Sequence, residues 1–540
     1  MKLADIIDTF ITGDWGEESP TQDTPNAAYC VRGADIVPIT NHNFTDIPQR
    51  YVCDRTKETK LLAAGDLVIE KSGGSPTQST GRIVYVSEDL IKAKGNVVCS
   101  NFCTAFRVKA GWNPLYVYYF WQNVYNHGAF FNFEGKTSGI KNLQLDNALS
   151  AIDIEYLPLE KQNQIVASLA SIDEKIKVNR QINDNLEAMA KQLYDYWFVQ
   201  FDFPNEEGKP YKSNGGVMVW NEDLHMSIPC TWNTCLLSDY IGSNNTGDWG
   251  FDEPAKKRSI KVGCIRGADI VKLNDLPIRY IKDNNTSKLL SAWDIVIEVS
   301  GGSPTQATGR SAFVTPGVLK RNGGNLTCSN FCHAFTMKDY KASAYFYFMW
   351  RMFYDNNNMF NFEGKTSGIK NFMTDTFLAN KWLDVPTALL DLFFERVKVI
   401  YEQIDNNIEE INALTKQRDE LLPLLMNGQA TVNYHLSASS SISFDISVLF
   451  LNFTNGKSLY ETICLDYQRF ALPLHSKENT HETIQEDKRH IQQRQRQGDK
   501  HARERFLAFF CKCTSTVHQA AFGNAWCYRG YKGKGISESK

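Results

Sequence analysis

Long hydrophobic runs are missing from this chain of 540 residues. No apolar stretch approaches the roughly 18 residues that a membrane-spanning helix needs. The opening residues, MKLADIIDTFITGDWG, place acids among apolar residues and lack the uninterrupted apolar core of a secretion signal. The 13 cysteines are an odd number in a chain without such a signal. We therefore expect no membrane association and a reduced, cytoplasmic compartment rather than a disulfide framework.

An excess of positive charge is also missing, because the formal net charge is −3 at pH 7. A domain that neutralises DNA phosphates is usually basic overall. The charge balance therefore weighs against nucleic-acid binding, unless the basic residues are local to a few loops or partner subunits supply most phosphate contacts. Hydrophobic residues make up 42% and charged residues 22%, which is typical of globular domains. The length allows about three to four of them.

Patterns typical of catalysis or metal binding are scarce. Cys99 and Cys103, like Cys328 and Cys332, have neither a Cys-x-x-Cys motif nor a histidine pair beside them. We interpret them as buried small hydrophobic residues rather than zinc ligands. The sequence Asn-Pro-Leu-Tyr at 113–116 mimics the Asn-Pro-Pro-Tyr of adenine methyltransferases, but it lacks the second proline and no glycine-rich cofactor loop precedes it. We expect no catalytic residue, no metal and no cofactor on this chain.

The most informative feature that is present is a long internal repeat. The offset between the copies is 247 − 13 = 234 early and 361 − 132 = 229 late, so few net deletions separate them. Solenoid units run roughly 20 to 50 residues, so this repeat is a duplicated domain. The repeated segments are GDWG (13–16 and 247–250), RGADI (32–36 and 266–270), DLVIEKSGGSPTQSTGR (66–82, returning as DIVIEVSGGSPTQATGR at 294–310), CSNFC (99–103 and 328–332) and NFEGKTSGIKN (132–142 and 361–371).

Each copy mixes strand and helix patterns in the same order. Short β-branched or aromatic runs bounded by glycine and proline predict strands, and an aromatic stretch after them predicts a helix. Each copy is therefore an α/β (α+β) domain. The predicted strands are 67–70, 83–86 and 97–108 in the first copy and 295–298, 312–315 and 326–337 in the second, and the predicted helices are 115–130 and 342–353.

A long amphipathic helix follows each copy, opening at Pro158 and near Pro386. Steps of three and four between apolar residues are typical of a heptad seam. Each helix spans about 35 to 40 residues, or roughly 55 Å. The two helices either pack on their own domains or pair as an antiparallel coiled coil that holds the domains apart, which we favour. The seam residues are Ile165, Leu169, Ile172, Ile176, Ile182, Leu186, Met189, Leu193 and Tyr196 in the first helix and Val397, Ile400, Ile404, Ile408, Ile411, Leu414, Leu421, Leu422 and Leu425 in the second.

The first candidate for DNA contact is the loop SGGSPTQ-x-TGR. Its glycines permit close approach of the backbone to a partner, arginine reads guanine and glutamine reads adenine, and hydroxyl groups bind phosphate. The alternative is a hairpin whose polar residues satisfy one another. Lys71 is a weaker candidate than Arg82 because Val299 replaces it in the second copy. The candidates are Ser72, Gly73, Gly74, Ser75, Thr77, Gln78 and Arg82, with Ser300, Gly301, Gly302, Ser303, Thr305, Gln306 and Arg310.

The second candidate is the basic, glycine-containing loop EGKTSGIKN. Its Gly-Lys-Thr resembles part of a nucleotide-binding P-loop, but that motif needs a glycine five residues earlier, where Phe130 and Met359 stand. We therefore interpret the loop as a contact for DNA backbone phosphates, and the alternative interpretation is a solvated turn. The candidates are Lys136, Thr137, Ser138 and Lys141, with Lys365, Thr366, Ser367 and Lys370.

The helical segments resemble a known family. The sequence LPLEKQNQIVASLASIDEKIKVNRQINDNLEAMAKQLYDYWFVQFDF at 157–203 is similar to the central spacer of the specificity subunits of type I restriction–modification enzymes. The sequence RDELLPLLMNGQ at 418–429 is similar to the end of those subunits. The two copies resemble the target-recognition domains of the family, and the resemblance covers about residues 1–430.

The resemblance implies a subunit that does no chemistry itself. Two target-recognition domains lie in opposite orientations across a coiled coil, and each reads half of an interrupted target in double-stranded DNA. Two methyltransferase (modification) subunits dock on the spacer helices and bring S-adenosylmethionine. Two restriction (helicase–nuclease) subunits bring ATP and Mg. Because the two copies carry the same loops, we expect a near-palindromic target whose gap is set by the length of the coil.

The implied organisation has six segments: a target-recognition domain at 1–155, a central spacer helix at 156–200, a connector at 201–234, a second target-recognition domain at 235–383, a C-terminal spacer helix at 384–428 and an extension at 429–540. The extension has no repeat partner, and its Ser-rich and Gln/Arg-rich composition predicts disorder. The alternative function is a non-catalytic, bivalent DNA-binding adapter outside restriction, and a stand-alone methyltransferase or nuclease is a more distant one.

Overall fold

The computed structural model describes residues 1–73, 78–137, 140–303, 305–366 and 369–430, with only the backbone described at 136, 137, 140, 365 and 366. Within these ranges no helix combines the length and the apolar character that crossing a membrane requires. The disorder predicted for the extension lies, from residue 431 onward, outside the described residues.

The first half (residues 1–200) contains both strands and helices, and its last helix is long. The strands are β1 (Ile7–Thr12), β2 (Asn26–Val31), β3 (Gln49–Val52), β4 (Leu67–Glu70), β5 (Ser72–Gly73), β6 (Ile83–Tyr85), β7 (Val97–Cys99), β8 (Cys103–Val108), β9 (Glu134–Thr137) and β10 (Ile140–Leu143). The helices are α1 (Ile36–Thr40), α2 (Asp54–Thr59), α3 (Glu88–Lys94), α4 (Pro114–Asn126), α5 (Leu145–Ala151) and α6 (Leu159–Tyr194), and α6 continues into a π-helical turn, Asp195–Val199.

The second half (residues 201–430) also ends in a long helix, so the predicted mixture of helix and sheet with long helices is confirmed. Its strands are β11 (Met218–Asn221), β12 (Met226–Pro229), β13 (Asn233–Leu236), β14 (Ile241–Thr246), β15 (Ile260–Ile265), β16 (Ile278–Ile281), β17 (Ile295–Glu298), β18 (Ser300–Gly301), β19 (Ser311–Phe313), β20 (Leu326–Cys328), β21 (Cys332–Met337), β22 (Glu363–Thr366), β23 (Ile369–Phe372) and β24 (Lys381–Asp384). The helices are α7 (Pro316–Arg321), α8 (Ser343–Asp355), α9 (Thr374–Leu378) and α10 (Thr387–Met426).

Three sheets with matching strand orders occur in the two halves. The orders are β1-β8-β4-β6 and β14-β21-β17-β19, β3-β2-β7 and β16-β15-β20, and β5-β10-β9 and β18-β23-β22. The sequence LVIE of β4 is buried on both faces, because Leu67 and Ile69 face the core that includes α4 while Val68 faces a second core beneath β6 and β8.

The predicted strand at 97–108 is broken into β7 and β8. The amide of Cys103 donates to the carbonyl oxygen of Ser100 at 2.9 Å, which closes a turn within the CSNFC motif. The predicted helix at 115–130 ends at Asn126, because Gly128 adopts a left-handed conformation with φ of 73°. The EGKTSGIKN motif, interpreted as a loop, contains the paired strands β9 and β10.

The Asn-Pro-Leu-Tyr sequence is the start of α4. The side-chain oxygen of Asn113 accepts a hydrogen bond from the amide of Leu115 at 2.9 Å, and Pro114 occupies the first helical position. Both are ordinary features of a helix N-terminus. The resemblance of this sequence to a methyltransferase motif is therefore explained by helix capping.

The connector at 201–234 is more ordered than its composition indicates. It contains the hairpin β11–β12, and the side chains of Phe201, Phe203 and Trp232 are buried. The rings of Phe203 and Trp232 stack with centroids 5.0 Å apart. These aromatic contacts fasten the connector to the core of the second half.

The two long helices lie side by side over much of their length. Asp173 accepts a hydrogen bond from Arg418 at 3.1 Å, Asn179 donates to Glu410 at 2.9 Å, and Asn407 donates to Asn183 at 2.7 Å. The residue number on α10 thus falls as the number on α6 rises.

Each long helix also contributes to the core of both halves. Leu169 of α6 and Leu422 of α10 are buried in the core that contains α4. Tyr194 of α6 and Phe393 of α10 are buried in the core that contains α8. Each helix therefore connects its own half to the other.

One predicted seam residue is misplaced. Met189 is 40% exposed, whereas Ala190 is completely buried. The heptad spacing is interrupted between Ile176 and Ile182, and the buried positions of α6 after this interruption are Leu186, Ala190 and Tyr194. These steps of four turn the buried face toward the aromatic core of the second half, and Met189 falls on the solvent side.

Candidate nucleic-acid interface

The two candidate loops of each copy meet in one small sheet. In the first half, β5 carries Ser72 and Gly73 and pairs with β10, where Lys141 lies opposite Gly73. Strand β9 pairs on the other side of β10. The second half repeats this pairing, with Lys370 opposite Gly301. Segments about 70 residues apart in the sequence therefore form one surface in each half.

Side-chain bonds lock this sheet together. The Ser72 hydroxyl bonds to the side-chain oxygen of Asn142, and the Ser300 hydroxyl bonds to Asn371 at 2.6 Å. These serines, predicted to contact DNA, have protein partners in both halves.

The arginine of each TGR segment forms a bidentate ion pair. Nε and Nη2 of Arg82 donate to the Glu70 carboxylate at 2.8 and 2.6 Å, and Arg310 binds Glu298 at the same two distances. The Glu70 side chain is 3% exposed and the Arg82 side chain 18%. The hydrogen bonds to Glu70 raise the pKa of Arg82. The Nε–Nη2 edge of each guanidinium is therefore occupied by the carboxylate, and base reading by Arg82 and Arg310 stays a prediction.

Two glycines make room for this buried carboxylate. A Cβ atom on Gly73 would lie 2.6 Å from Oε1 of Glu70, and one on Gly33 of the RGADI motif would lie 2.5 Å from it. Gly73 also has φ of 149°, where side chains are strained. In the second half, Gly267 and Gly301 surround Glu298 in the same way. Gly73 and Gly301, which were expected to admit a partner, are thus required by packing within the protein.

The TGR segment is further tied to the helix behind it. The indole nitrogen of Trp121 on α4 donates to the carbonyl oxygen of Gly81 at 2.7 Å, and Trp350 on α8 donates to Gly309 at the same distance. Both indole rings are buried. The base of each candidate surface is therefore fixed to its core.

Lys141 and Lys370 combine a structural bond with partial exposure. The Lys141 ammonium lies 3.0 Å from Glu134, and its side chain is 21% exposed. Burial acts to raise the pKa of Glu134, but hydrogen bonds from Thr80 and Lys141 outweigh it, so that pKa is lowered. Lys141 also lies over the ring of the exposed Phe131, 5.1 Å from its centroid. Lys370 lies 2.9 Å from Glu363.

The tip of the SGGSPTQ segment is described mainly in the second half. The Ser303 hydroxyl accepts from the amides of Thr305 and Gln306 at 3.3 and 3.1 Å, and Gly302 has φ of 77°. Thr305 and Gln306, like Gln78 in the first half, are exposed. The predictions for Gly74, Ser75, Thr77, Ser138 and Ser367 lie outside the described residues, as do the side chains of Lys136, Thr137, Lys365 and Thr366.

The GDWG and CSNFC motifs pack against each other. The amide of Asp14 donates to the carbonyl oxygen of Cys99 at 2.7 Å, and Asp248 donates to Cys328 at 2.8 Å. A Cβ atom on Gly13 would lie 1.9 Å from the carbonyl oxygen of Ser100. The glycine that opens the motif is therefore needed for this close approach.

Cation–π contacts hold the tryptophans of the GDWG motifs. Trp15 lies under the guanidinium of Arg50, 4.0 Å from the ring centroid, and Trp249 lies under that of Arg279 at 4.4 Å. These contacts, together with the backbone bonds to the CSNFC turns, fix each motif beside its turn.

The CSNFC turn joins the same surface and exposes a residue that the sequence analysis missed. The carbonyl oxygen of Phe102 accepts from the amides of Lys71 and Ser72 at 2.8 and 3.1 Å, and that of Phe331 accepts from Val299 and Ser300. Their side chains are 57% and 55% exposed. The sequence signal that could have indicated this exposure is a phenylalanine that follows Ser-Asn in both copies of the CSNFC motif.

The cysteines of this motif are inert. Cys99, Cys103, Cys328 and Cys332 are at most 1% exposed, which confirms the predicted burial, and desolvation raises the pKa of Cys103 to about 11. Among the described residues, no cluster of three histidine, cysteine or acidic side chains could hold a metal ion.

Comparison with known proteins gives one family match and two curated relatives. The model of the type I restriction modification DNA specificity domain matches residues 4–188. The type I restriction enzyme MjaIX specificity subunit of Methanocaldococcus jannaschii is 26% identical over 298 residues, 53% of this chain and 62% of that protein. The type I restriction enzyme HindI specificity subunit of Haemophilus influenzae is 36% identical over 56 residues, 10% of this chain and 12% of that protein. The chain thus spans less than two thirds of the length of either relative.

Solved structures of type I subunits also resemble the chain. The S subunit from M. genitalium has a TM-score of 0.42 at 14% identity and covers 79% of this chain and 95% of its own. The HsdS subunit from Thermoanaerobacter tengcongensis has a TM-score of 0.27 at 13% identity, covering 80% and 96%. The resemblance expected from the spacer sequences is confirmed: residues 4–188 match the type I restriction modification DNA specificity domain, and the chain is similar to type I restriction enzyme specificity subunits.

Proposed function

We propose that this chain is the non-catalytic DNA-recognition subunit of a type I restriction–modification complex in the cytoplasm. The observation that carries the proposal is the presence of two equivalent surfaces, each assembled from the same repeated motifs. Hydroxyl groups, exposed glutamines and a lysine on each surface are suited to phosphates and base edges. One surface reads each half of an interrupted duplex target.

We propose that α6 and α10 form an antiparallel coiled coil that holds the two surfaces apart. The falling order of the hydrogen-bonded pairs, from Asp173–Arg418 to Asn183–Asn407, supports this arrangement. The burial of both helices in the cores of both halves supports a rigid connection. With 36 and 40 residues, the helices extend about 54 and 60 Å at 1.5 Å per residue, and their overlap sets the gap between half-sites.

We propose that the chemistry belongs to partner subunits. Two modification subunits dock on the coil and bring S-adenosylmethionine, and two restriction subunits bring ATP and Mg. The near-neutral charge of this chain, −3 over 540 residues, fits a complex in which the partners contribute phosphate contacts.

Methylome sequencing of host cells with and without this gene tests the proposal. We expect an interrupted, near-palindromic methylation motif that disappears with the gene, and no methylation by the purified chain alone. Half-sites unrelated to each other would contradict the symmetry. An unchanged methylome together with bipartite DNA binding in vitro would favour the DNA-binding adapter instead, and methylation by the chain alone would favour an enzyme.

A further inference from the structure

Phe102 and Phe331 hold large apolar side chains in water at equivalent positions of the two halves. Their side chains are 57% and 55% exposed, and each stands in a short turn between two buried strands. An isolated exposed hydrophobic residue is ordinary on a protein surface. The position of this pair, however, gives it a specific setting.

The turn that carries each phenylalanine is rigid. The Phe102 carbonyl oxygen accepts two backbone hydrogen bonds, Cys103 closes the turn onto Ser100, and Asp14 binds it from the GDWG side. The equivalent bonds surround Phe331. The exposure of the ring is therefore a property of an ordered turn rather than of a fraying segment.

The turn borders the candidate DNA surface directly. One of the amides bound to the Phe102 carbonyl oxygen belongs to Ser72, and the Ser72 hydroxyl bonds to Asn142 on the hairpin strand next to Lys141. In the second half, the neighbouring Asn330 accepts a hydrogen bond from the amide of Trp249 at 3.0 Å. In each half, a turn with an exposed phenylalanine thus borders the paired strands that carry a serine hydroxyl group and a lysine.

Another exposed phenylalanine offers a contrast. Phe10 on β1 is 47% exposed and lies opposite Phe106 in the strand register. In the second half the same register position, opposite Phe335, is occupied by Asn244. The exposed phenylalanine at position 10 is therefore not repeated in the second half. The exposed phenylalanine of the CSNFC turn, in contrast, is present in both halves.

We propose that the rings of Phe102 and Phe331 make apolar contacts with bases of duplex DNA, one in each half-site, and are specificity-determining residues. The proposal rests on the function proposed above. A phenyl ring offers nothing to a phosphate oxygen, but it contacts a thymine methyl group or wedges against a base step. The polar groups of the hairpin position the backbone of the DNA, and the ring reads its bases.

The test compares four full-length chains, each purified with any modification subunit that accompanies it: wild type, Phe102→Ala, Phe331→Ala and the control Phe10→Ala. Each selects from a pool of duplexes with a randomised central segment, and the bound DNA is sequenced. Thermal unfolding verifies that the variants are folded. We expect Phe102→Ala to relax preference about tenfold at one or two positions of one half-site, Phe331→Ala to do so in the other, and Phe10→Ala to match the wild type.

The possible failures are separable. If the wild type enriches no bipartite motif, the proposed function itself is wrong. If it does and both phenylalanine variants give the same motif and affinity as Phe10→Ala, the inference about the rings is overturned. A uniform loss of affinity without relaxation at any base position also overturns it, because the rings would then contribute to binding without reading bases. Partial recovery of the preference in Phe102→Leu, which keeps an apolar side chain, would support it.

Discussion

Replacing Arg82 with alanine should destabilise the first half of the chain strongly. The variant leaves the Glu70 carboxylate, 3% exposed, buried without its bidentate partner. Breaking a buried ion pair from one side costs about 3–5 kcal/mol. For a unit of 150–250 residues, where 1 kcal/mol shifts Tm by about 2–4 °C, the expected fall in Tm is about 6–20 °C.

The second half provides the matched comparison. Arg310→Ala should have an effect of similar size, but confined to the second half, since Arg310 binds Glu298 at the same distances. The double variant Glu70→Met/Arg82→Met removes both charges and should recover most of the loss, because apolar replacement of a buried ion pair is often neutral or stabilising. Hydrogen exchange of peptides covering 66–86 and 294–310 locates each effect, and calorimetry measures its size.

A cost of less than about 1 kcal/mol for Arg82→Ala, the range of a surface ion pair, would refute this reasoning. So would a double variant as unstable as the single one. The double variant also tests base reading by Arg82. If it folds and keeps the wild-type target preference, the role of Arg82 is structural, whereas loss of one specified base pair would support direct reading of guanine.

Three further outcomes are expected. Gly73→Ala should lower the free energy of unfolding in urea by at least about 2 kcal/mol more than Gly95→Ala does. A Cβ atom at position 73 would lie 2.6 Å from a buried carboxylate oxygen, whereas a Cβ atom at position 95 meets nothing within 4 Å. Equal losses in the two variants would contradict the packing role of Gly73. The pKa values of Glu134 and Glu363 are lowered in the folded chain. The ionised carboxylates therefore stabilise the folded state fully above the pKa of glutamate in the unfolded chain, about 4.3. This contribution is lost as the pH falls through their folded-state pKa values. Glu134→Gln/Glu363→Gln should therefore lose less stability than the wild type between pH 6 and pH 3, and an identical acid response would count against it. One heptad inserted at the same level of both α6 and α10 lengthens the coil by about 10 Å. The gap in the methylation motif should therefore grow by about three base pairs. An unchanged gap in methylome sequencing would contradict the role of the coil as the spacer.

Local pattern was sufficient for the regular elements of the chain. The β-branched runs at 67–70 and 295–298 became strands at the predicted bounds, because short apolar runs flanked by glycine leave little choice. The long helices were readable from their apolar spacing. Their bounds follow the prolines at 158 and 386.

The arrangement of the candidate surface could not be derived from local pattern. The pairing of Ser72 with Asn142 joins segments 70 residues apart, and no periodicity within either segment specifies that register. The ion pair between Glu70 and Arg82 could not be predicted for a similar reason. Both residues lie at or next to a strand end, and the local sequence pattern predicts solvent exposure for them rather than mutual contact. Phe102 was overlooked because an aromatic residue next to buried cysteines is usually interpreted as core.

The geometry also changes what the repeat says about the DNA target. Part of the identity between the copies, including Gly33, Gly73 and Arg82 with their counterparts, lies in residues that pack around the buried carboxylates of Glu70 and Glu298. That part maintains the fold whether or not the half-sites match. Under the proposed function, symmetry of the target depends instead on the solvent-accessible residues that the two surfaces share, chiefly the exposed turn phenylalanines and the partly exposed Lys141 and Lys370. Lys71 is replaced by Val299 beside the same turn, which removes one cation from the second surface. The expected target is therefore palindromic where the shared side chains contact it and asymmetric at the position nearest Lys71.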